Sequence, residues 1–144
     1  MSGWLLDTNV LSELRKGDRG DAGVRKWFEQ AVAEELFISV LVLGEIRQGI
    51  ERLRRRDPAQ ARALDKWLLW IVAEFHDRLL PVDERVADQW GRLGTQQPVP
   101  VLDAFLAATA LVYGLSVVSR DETGFKNTGV PVINPFSKFK PKGT

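Results

Sequence analysis

The sequence predicts an α/β domain with a mainly parallel sheet of four to five strands and helices on both faces. Short apolar runs alternate with longer stretches whose apolar residues recur at helical spacing, and this alternation implies crossover connections between parallel strands. The 144 residues, of which 44% are hydrophobic and 27% charged, have the size and composition of one globular domain. We expect a domain over residues 1–136 and a basic C-terminal tail over 137–144.

The first half of the chain predicts two strands and four helices. In chain order we expect a strand at 4–6, helices at 8–14 and 24–32, a strand at 36–40, and a helical hairpin at 41–56 and 61–75. Pro58 separates the two hairpin helices, because proline disfavours helix in the residue before it. Trp67, Trp70 and their neighbours make the last helix apolar nearly all round, which indicates burial, in part against a partner protein.

The second half predicts three strands and two helices. We expect a strand at 79–82, helices at 86–93 and 104–113, and strands at 115–119 and 130–133. Gly114 follows the Ala-rich helix, where a left-handed residue commonly ends a helix. Pro131 assigns the last strand to an edge of the sheet, since proline cannot donate to a central ladder.

The composition excludes several classes of catalytic and metal-binding site. The absence of Cys excludes disulfides, thiolate catalysis and Cys-ligated metals, and the single His76 excludes a His-rich metal site. The formal net charge of +1, from 20 basic and 19 acidic residues, predicts neither a polybasic coat nor an acidic protein. No stretch approaches the roughly 20 apolar residues of a membrane span, so we expect a cytoplasmic protein with no membrane partner.

Four acids fall where one edge of the predicted sheet should lie. Asp7 ends the first strand and Asp121 follows the fourth. Asp103 opens the helix that leads into the fourth strand, and Glu45 lies early in the helix after the second strand. Ligands of open parallel sheets bind beyond the carboxyl ends of the strands. The acids would converge there if the first, second and fourth strands are neighbours.

Clustered carboxylates repel one another, which raises their pKa values unless a cation neutralises them. Ligand sets of oxygen alone favour hard ions such as Mg²⁺ or Mn²⁺. Without a thiol or a Ser–His pair, the nucleophile would be water activated by the metal. Hydrolysis of a phosphodiester fits these requirements.

Each acid also has a simpler interpretation. Asp7 could cap a helix, and Asp103 could be an acid favoured by the helix dipole. Glu45 could be a solvated helix residue and Asp121 a loop residue. Only the occurrence of all four at one predicted edge favours a site.

The motifs around these acids resemble the PIN-domain ribonucleases, and among them the VapC and FitB toxins of bacterial toxin–antitoxin pairs. The likeness covers about residues 4 to 136 in the order and spacing of the family. The matching segments are Leu5-Leu6-Asp7-Thr8-Asn9-Val10-Leu11, Gly44-Glu45-Ile46, Leu102-Asp103-Ala104-Phe105-Leu106-Ala107-Ala108-Thr109-Ala110, Val118-Ser119-Arg120-Asp121 and Val132-Ile133-Asn134-Pro135.

The resemblance implies a Rossmann-like α/β/α sandwich with Mg²⁺- or Mn²⁺-dependent endoribonuclease activity. It also implies a homodimer that a small cognate antitoxin silences. Asp7, Glu45 and Asp103 match the core metal-binding acids of the family, and Asp121 matches the fourth.

Polar neighbours of these acids match the family too. Thr8, Asn9 and Ser119 occupy positions suited to holding the substrate phosphate or a water. Many relatives have a further acid just before the residue corresponding to Phe125, where this chain has Gly124. The resemblance therefore does not extend to a fully formed second metal site.

Basic residues offer two further interpretations. The run from Glu51 to Arg56 holds four arginines at a helix end, where solvation and the helix dipole explain most such runs and RNA contact is the alternative. A second basic group could rim the acidic pocket and attract RNA. Its members are Arg120, Lys126, Lys138, Lys140 and Lys142.

Other functions stay open at this point. A nuclease of the same fold could process RNA or DNA outside a toxin–antitoxin pair, or the fold could serve as a non-catalytic partner-binding module. A small-molecule binder of the doubly wound type is disfavoured, because no Gly-rich phosphate loop follows the first strand.

Overall fold

A computed structural model describes residues 3–95 and 97–137. Its sheet has five strands: β1 (Trp4–Leu6), β2 (Leu36–Ser39), β3 (Leu79–Leu80), β4 (Ser116–Val118) and β5 (Val132–Ile133). Their order is β3-β2-β1-β4-β5, and every neighbouring pair is parallel. The predicted parallel sheet is confirmed, with β5 at an edge. The strands β2, β1 and β4 are neighbours, which is the condition for the acids to converge.

Six helices flank the sheet within these residues: α1 (Thr8–Arg15), α2 (Ala22–Gln30), α3 (Val40–Arg54), α4 (Pro58–Glu74), α5 (Glu84–Arg92) and α6 (Val101–Tyr113). Right-handed crossovers assign α1 to α4 to one face and α5 and α6 to the other. The packing agrees, since α1 contacts α2 and α3, α3 contacts α4, and α5 contacts α6. The predicted α/β/α sandwich is confirmed.

Helix boundaries follow from capping. The Ser39 hydroxyl accepts a hydrogen bond from the backbone N–H of Leu41, so α3 begins at Val40, directly after β2. Asp21, Asp57 and Asp83 cap the helices that follow them in the same way, and Gly114 ends α6 with a φ of 69°. Single 3-10 turns at 17–19, 33–35, 76–78 and 123–125 were not predicted, because three residues are too few to show a period.

The core lies between the sheet and its two helical layers. The strands contribute the fully buried Leu6, Ile38, Val117 and Val118. Helix α6 faces the sheet with small side chains, since Ala104, Ala107, Ala108 and Ala110 are buried. Small residues let this helix lie close to the strands, which brings its first turn near the carboxyl edge of the sheet.

Within the single chain the helix predicted at 61–75 is buried on one side, and burial of its other side against a partner protein stays a prediction. Leu68 and Ile71 face the core, whereas Leu69 and Trp70 are 69% and 55% exposed. The helix has more apolar residues than the sheet side can cover, so part of its apolar surface meets solvent. No helix in the described residues is long and apolar enough to cross a membrane.

Candidate active site

Asp7 lies at the carboxyl end of β1, where its side chain is almost completely buried. Its carboxylate accepts hydrogen bonds from the backbone N–H of Thr8 at 2.8 Å and from the Ser119 hydroxyl at 2.7 Å. Burial raises the pKa of Asp7 against the lowering effect of these bonds, and the charge of Asp121 raises it further. Asp7 is therefore both the N-cap of α1 and a buried carboxylate with a raised pKa.

Ser119 connects three segments at this edge of the sheet. Its oxygen accepts hydrogen bonds from the Asn9 side-chain amide at 3.2 Å and from the backbone N–H of Asp121 at 2.9 Å. The Asn9 carbonyl in turn accepts from the backbone N–H of Arg120 at 3.1 Å. These bonds tie the loop after β4 to the first turn of α1 and hold Asp121 near Asp7.

Asp103 lies in the first turn of α6 and is half-buried. The pKa of Asp103 is raised to about 7, and burial is the largest cause. A hydrogen bond with Asp121, repulsion from Asp121 and the charges of Asp7 and Glu45 raise it further. Three other acids therefore lie close enough to Asp103 for their charges to affect its pKa. The structure thus brings the four predicted acids together, from four separate segments.

Glu45 lies on the exposed side of α3. The Thr8 hydroxyl donates a short hydrogen bond to its Oε1. Thr8 therefore links the first turn of α1, which carries Asp7 at its cap, to the acid contributed by α3.

Gly124 is the residue of the site that the sequence did not assign a role. Its backbone N–H donates to Oδ1 of Asp121 at 2.9 Å, and a Cβ added here would overlap the carboxylates of both Asp103 and Asp121. The missing side chain lets the 123–125 turn close against this carboxyl pair. The available signal was the departure from the family pattern just before Phe125.

The donor set fits a hard divalent cation in its chemistry. All its candidate ligand atoms are carboxylate oxygens. Burial first, and then the neighbouring acids, raise the pKa values of Asp7 and Asp103, and a bound cation would favour the ionised form of both groups. In the described residues no three His, Cys, Asp or Glu side chains already have the arrangement of a metal cage. The acids are neighbours that would have to adjust their rotamers around an ion.

Arg120, a member of the predicted basic rim, is exposed at the end of β4. Its guanidinium lies over the Phe136 ring, 4.2 Å from the ring centroid, so this side chain packs on an aromatic ring of the same chain. Lys126 is exposed in the loop that leads to β5. Lys138, Lys140 and Lys142 lie outside the described residues.

A comparison of the whole chain with known families identifies one that it matches. Residues 4–131 match the PIN domain. The chain belongs to the PIN-domain family. The acids Asp7, Glu45, Asp103 and Asp121 all fall within the matched segment.

Relatives of this PIN domain include proteins named as toxins and ribonucleases. It is 30% identical over 140 residues to VapC ribonuclease Y4jK of Sinorhizobium fredii, covering 92% of this chain and 96% of the relative. It is 29% identical to toxin FitB of Neisseria gonorrhoeae, covering 92% and 97%. The crystal structure of FitAcB from Neisseria gonorrhoeae superposes with a TM-score of 0.83 at 30% identity, covering 92% and 97% of the two chains. The resemblance to VapC and FitB toxins is confirmed.

The PIN domain also has an apolar groove of about 430 Å³ on the face formed by α1, α2 and α4. Its apolar lining includes Leu11, Leu14, Phe28, Trp67, Trp70 and Ile71. Through Arg15 and Trp67 the groove continues into a second depression of about 290 Å³, which reaches Thr8 and Glu45. The two depressions therefore adjoin at Arg15 and Trp67, and the second one reaches Glu45 of the candidate site.

Proposed function

We propose that this protein is the toxin of a toxin–antitoxin pair, an endoribonuclease that hydrolyses RNA phosphodiester bonds with Mg²⁺ or Mn²⁺. The proposal rests mainly on one observation, the convergence of acids at the carboxyl edge of the sheet, where Ser119 bonds to the Asp7 carboxylate and the Asp121 backbone and Gly124 lies against the carboxylates of Asp103 and Asp121. A structural role would not require four acids from separate segments to repel one another. The family and the relatives named above support the same activity.

Asp7, Glu45, Asp103 and Asp121 would hold the metal. A bound Mg²⁺ or Mn²⁺ supplies Lewis-acid chemistry, which acidifies water and offsets the negative charge that develops on the phosphate. The burial of Asp7 and the half-burial of Asp103 keep these two carboxylates in a region of reduced screening, where they interact strongly with a cation.

The other side chains have supporting tasks. Ser119 and Asn9 orient Asp7 and Asp121 through the bonds described above. Thr8 fixes the Glu45 carboxylate through its hydroxyl. Because that hydroxyl has one proton, donation to a substrate phosphate would replace the bond to Glu45. A carboxylate of the group that remains ionised accepts the proton of the attacking water.

The test is cleavage of RNA by the purified full chain with Mg²⁺ or Mn²⁺, compared with EDTA. Asp7→Asn and Asp103→Asn should each lower the cleavage rate by at least about a hundredfold, since each removes ligand charge while keeping side-chain volume. Asp88→Asn is the matched control, because Asp88 is an exposed acid paired with Arg92 on α5. Equal rates in wild type and all three variants would refute the proposal.

The antitoxin is the proposed partner, and the groove lined by Phe28, Trp67 and Trp70 is its proposed seat. The groove favours an amphipathic segment whose apolar side chains fill the wide part. A cationic side chain of that segment could then follow the depression to the acids. The similar solved structures of FitAB bound to a DNA fragment and of FitAcB from Neisseria gonorrhoeae support the presence of a partner protein. Homodimerisation and a single domain over 1–136 remain predictions.

Cleavage, growth and partner binding together test the alternatives. A non-catalytic binding module would show no cleavage that EDTA removes. A processing nuclease outside a toxin–antitoxin pair would cleave RNA or DNA, but expression in bacteria would not arrest growth and no neighbouring gene product would bind it.

A further inference from the structure

The four arginines near the end of α3 differ in their surroundings. Arg54 donates to Glu51 and to Asp65 of α4, each at 2.8 Å, and Arg47 donates to the same Asp65 oxygen at 2.7 Å. These contacts join α3 to α4. The Arg54 guanidinium is therefore occupied by ion pairs within the helical hairpin.

Arg52, Arg55 and Arg56 are exposed. Among residues 3–95 and 97–137, none of the three takes part in an ion pair. Three cations within five residues, with no acid neutralising them, form a locally positive surface at the end of α3.

The helix aligns this positive surface with the acidic site. Glu45, Gln48, Arg52 and Arg55 are spaced at i, i+3, i+7 and i+10, which puts them on one side of α3, and all four are exposed. Ten residues of helix span about 15 Å. Gly49 leaves open space beside this stripe, since a Cβ added there would meet no atom within 4 Å. The stripe therefore extends from a candidate metal ligand to Arg52 and Arg55, and Arg56 follows directly in the chain.

We propose that Arg52, Arg55 and Arg56 form a phosphate track that holds the RNA strand on one side of the scissile bond. This inference rests on the proposed ribonuclease function and names how the same site takes hold of its substrate. Guanidinium groups suit phosphates because they present several N–H donors in a plane. Contacts to phosphate add affinity and fix register without reading sequence.

A protein partner is the less suitable occupant of the track. The shallow depression here is lined by Gln48, Glu51, Arg52 and Arg55, so it has no aromatic or aliphatic anchor of the kind that dominates protein interfaces. The apolar anchors lie elsewhere, in the groove with Trp67 and Trp70.

The test measures RNA binding in the full chain carrying Asp103→Asn, which removes cleavage. A short fluorescein-labelled oligouridylate is titrated by fluorescence anisotropy at several KCl concentrations. Adding Arg52→Ala, Arg55→Ala and Arg56→Ala should reduce the slope of log K against log salt by about 2, because each phosphate contact with a single strand contributes about 0.7. Labelled oligoadenylate should show the same change.

Two controls isolate the track. Arg54→Ala removes an arginine of the same run that is bound to Glu51 and Asp65. The combination Arg19→Ala, Arg85→Ala and Arg92→Ala removes the same charge from other exposed positions. Both should keep nearly the parent slope.

An unchanged slope of log K against log salt in the track variant overturns the inference. Weaker antitoxin binding with an unchanged slope also overturns it, because the arginines would then contact the protein partner and not RNA. An equal fall in the charge-matched control also overturns it, since general attraction would then explain the binding. Cleavage by the wild type is scored separately. Metal-dependent cleavage with an unchanged slope refutes only the track, whereas a reduced slope without any cleavage refutes only the nuclease proposal.

Discussion

The Ser119 hydroxyl at the end of β4 donates a 2.7 Å hydrogen bond to Oδ2 of Asp7 at the end of β1. The two residues are 112 positions apart in the chain, yet β1 and β4 are adjacent parallel strands. The bond joins the two strand ends at the point where the strand order reverses, which is where ligands of such sheets bind. It therefore fixes the first acid relative to the loop that carries Asp121.

Ser119→Ala should destabilise the protein by about 2 kcal/mol, since a hydrogen bond to a charged group contributes about 1.5–3 kcal/mol. It also leaves the Asp121 N–H without its acceptor and the Asn9 amide with Oδ2 of Asp7 alone. Urea unfolding followed by circular dichroism measures the loss. Ser12→Ala is the control, because Ser12 is a half-buried serine of α1. An equal loss of unfolding free energy in the Ser12 variant would contradict a special role for Ser119.

Metal-free protein should lose stability as the pH rises from about 4 to about 8. The folded-state pKa of Asp103 is raised to about 7, above the roughly 3.9 of an unfolded Asp. The folded state therefore binds this proton more tightly, and the contribution is complete below pH 4 and lost as the pH rises through 7. Melting temperatures in EDTA measure it as the difference between wild type and Asp103→Asn. A difference that does not change with pH would contradict the assignment.

Mn²⁺ or Mg²⁺ should raise the melting temperature of the wild type. A ligand at a hundredfold excess over its dissociation constant stabilises the folded state by about 2.7 kcal/mol. Asp7→Asn and Asp103→Asn should reduce this gain, whereas Asp88→Asn should keep it. Differential scanning fluorimetry with and without the ions gives the comparison, and an equal gain in every variant would place the ion elsewhere.

Gly124→Ala should weaken Mn²⁺ binding by about tenfold or more, because its methyl group needs space that the Asp103 and Asp121 carboxylates occupy. Displacement of ligands from their working geometry typically costs this much in metal sites. Gly44→Ala is the matched control, since a Cβ there, next to Glu45, meets no atom within 4 Å. Isothermal titration calorimetry measures both affinities. Equal affinities would show that the carboxyl pair can move aside freely.

Trp70→Ala should weaken binding of the cognate antitoxin by at least about thirtyfold, which corresponds to the loss of an aromatic anchor of about 2 kcal/mol. Trp70 is 55% exposed and lines the apolar groove. Trp90→Ala provides the control, because Trp90 is 38% exposed on α5, in the opposite helical layer. Surface plasmon resonance with the protein of the neighbouring gene distinguishes them, and equal effects would argue against the groove.

The strands and helices could largely be predicted because each has a local signal. Apolar runs indicated the strands, and residues such as Ser39 and Gly114 mark where helices begin and end. The short 3-10 turns had no such signal. The exposure of Trp70 could not be predicted either, because the periodicity of α4 does not state which of its apolar faces the rest of the chain covers.

The sequence by itself determined the inventory of the site: carboxylates without Cys ligands, at positions that follow or open elements of a parallel sheet. Only the tertiary structure decided which of them interact, since the strand order that puts β1 between β2 and β4 depends on contacts between distant segments. The same holds for Gly124, whose importance lies in the space between Asp103 and Asp121. It holds for the arginine run as well, which only the packing of α3 on α4 separates into paired and unpaired members. Local chemistry is encoded residue by residue, whereas distances between segments result from the packing of the whole chain.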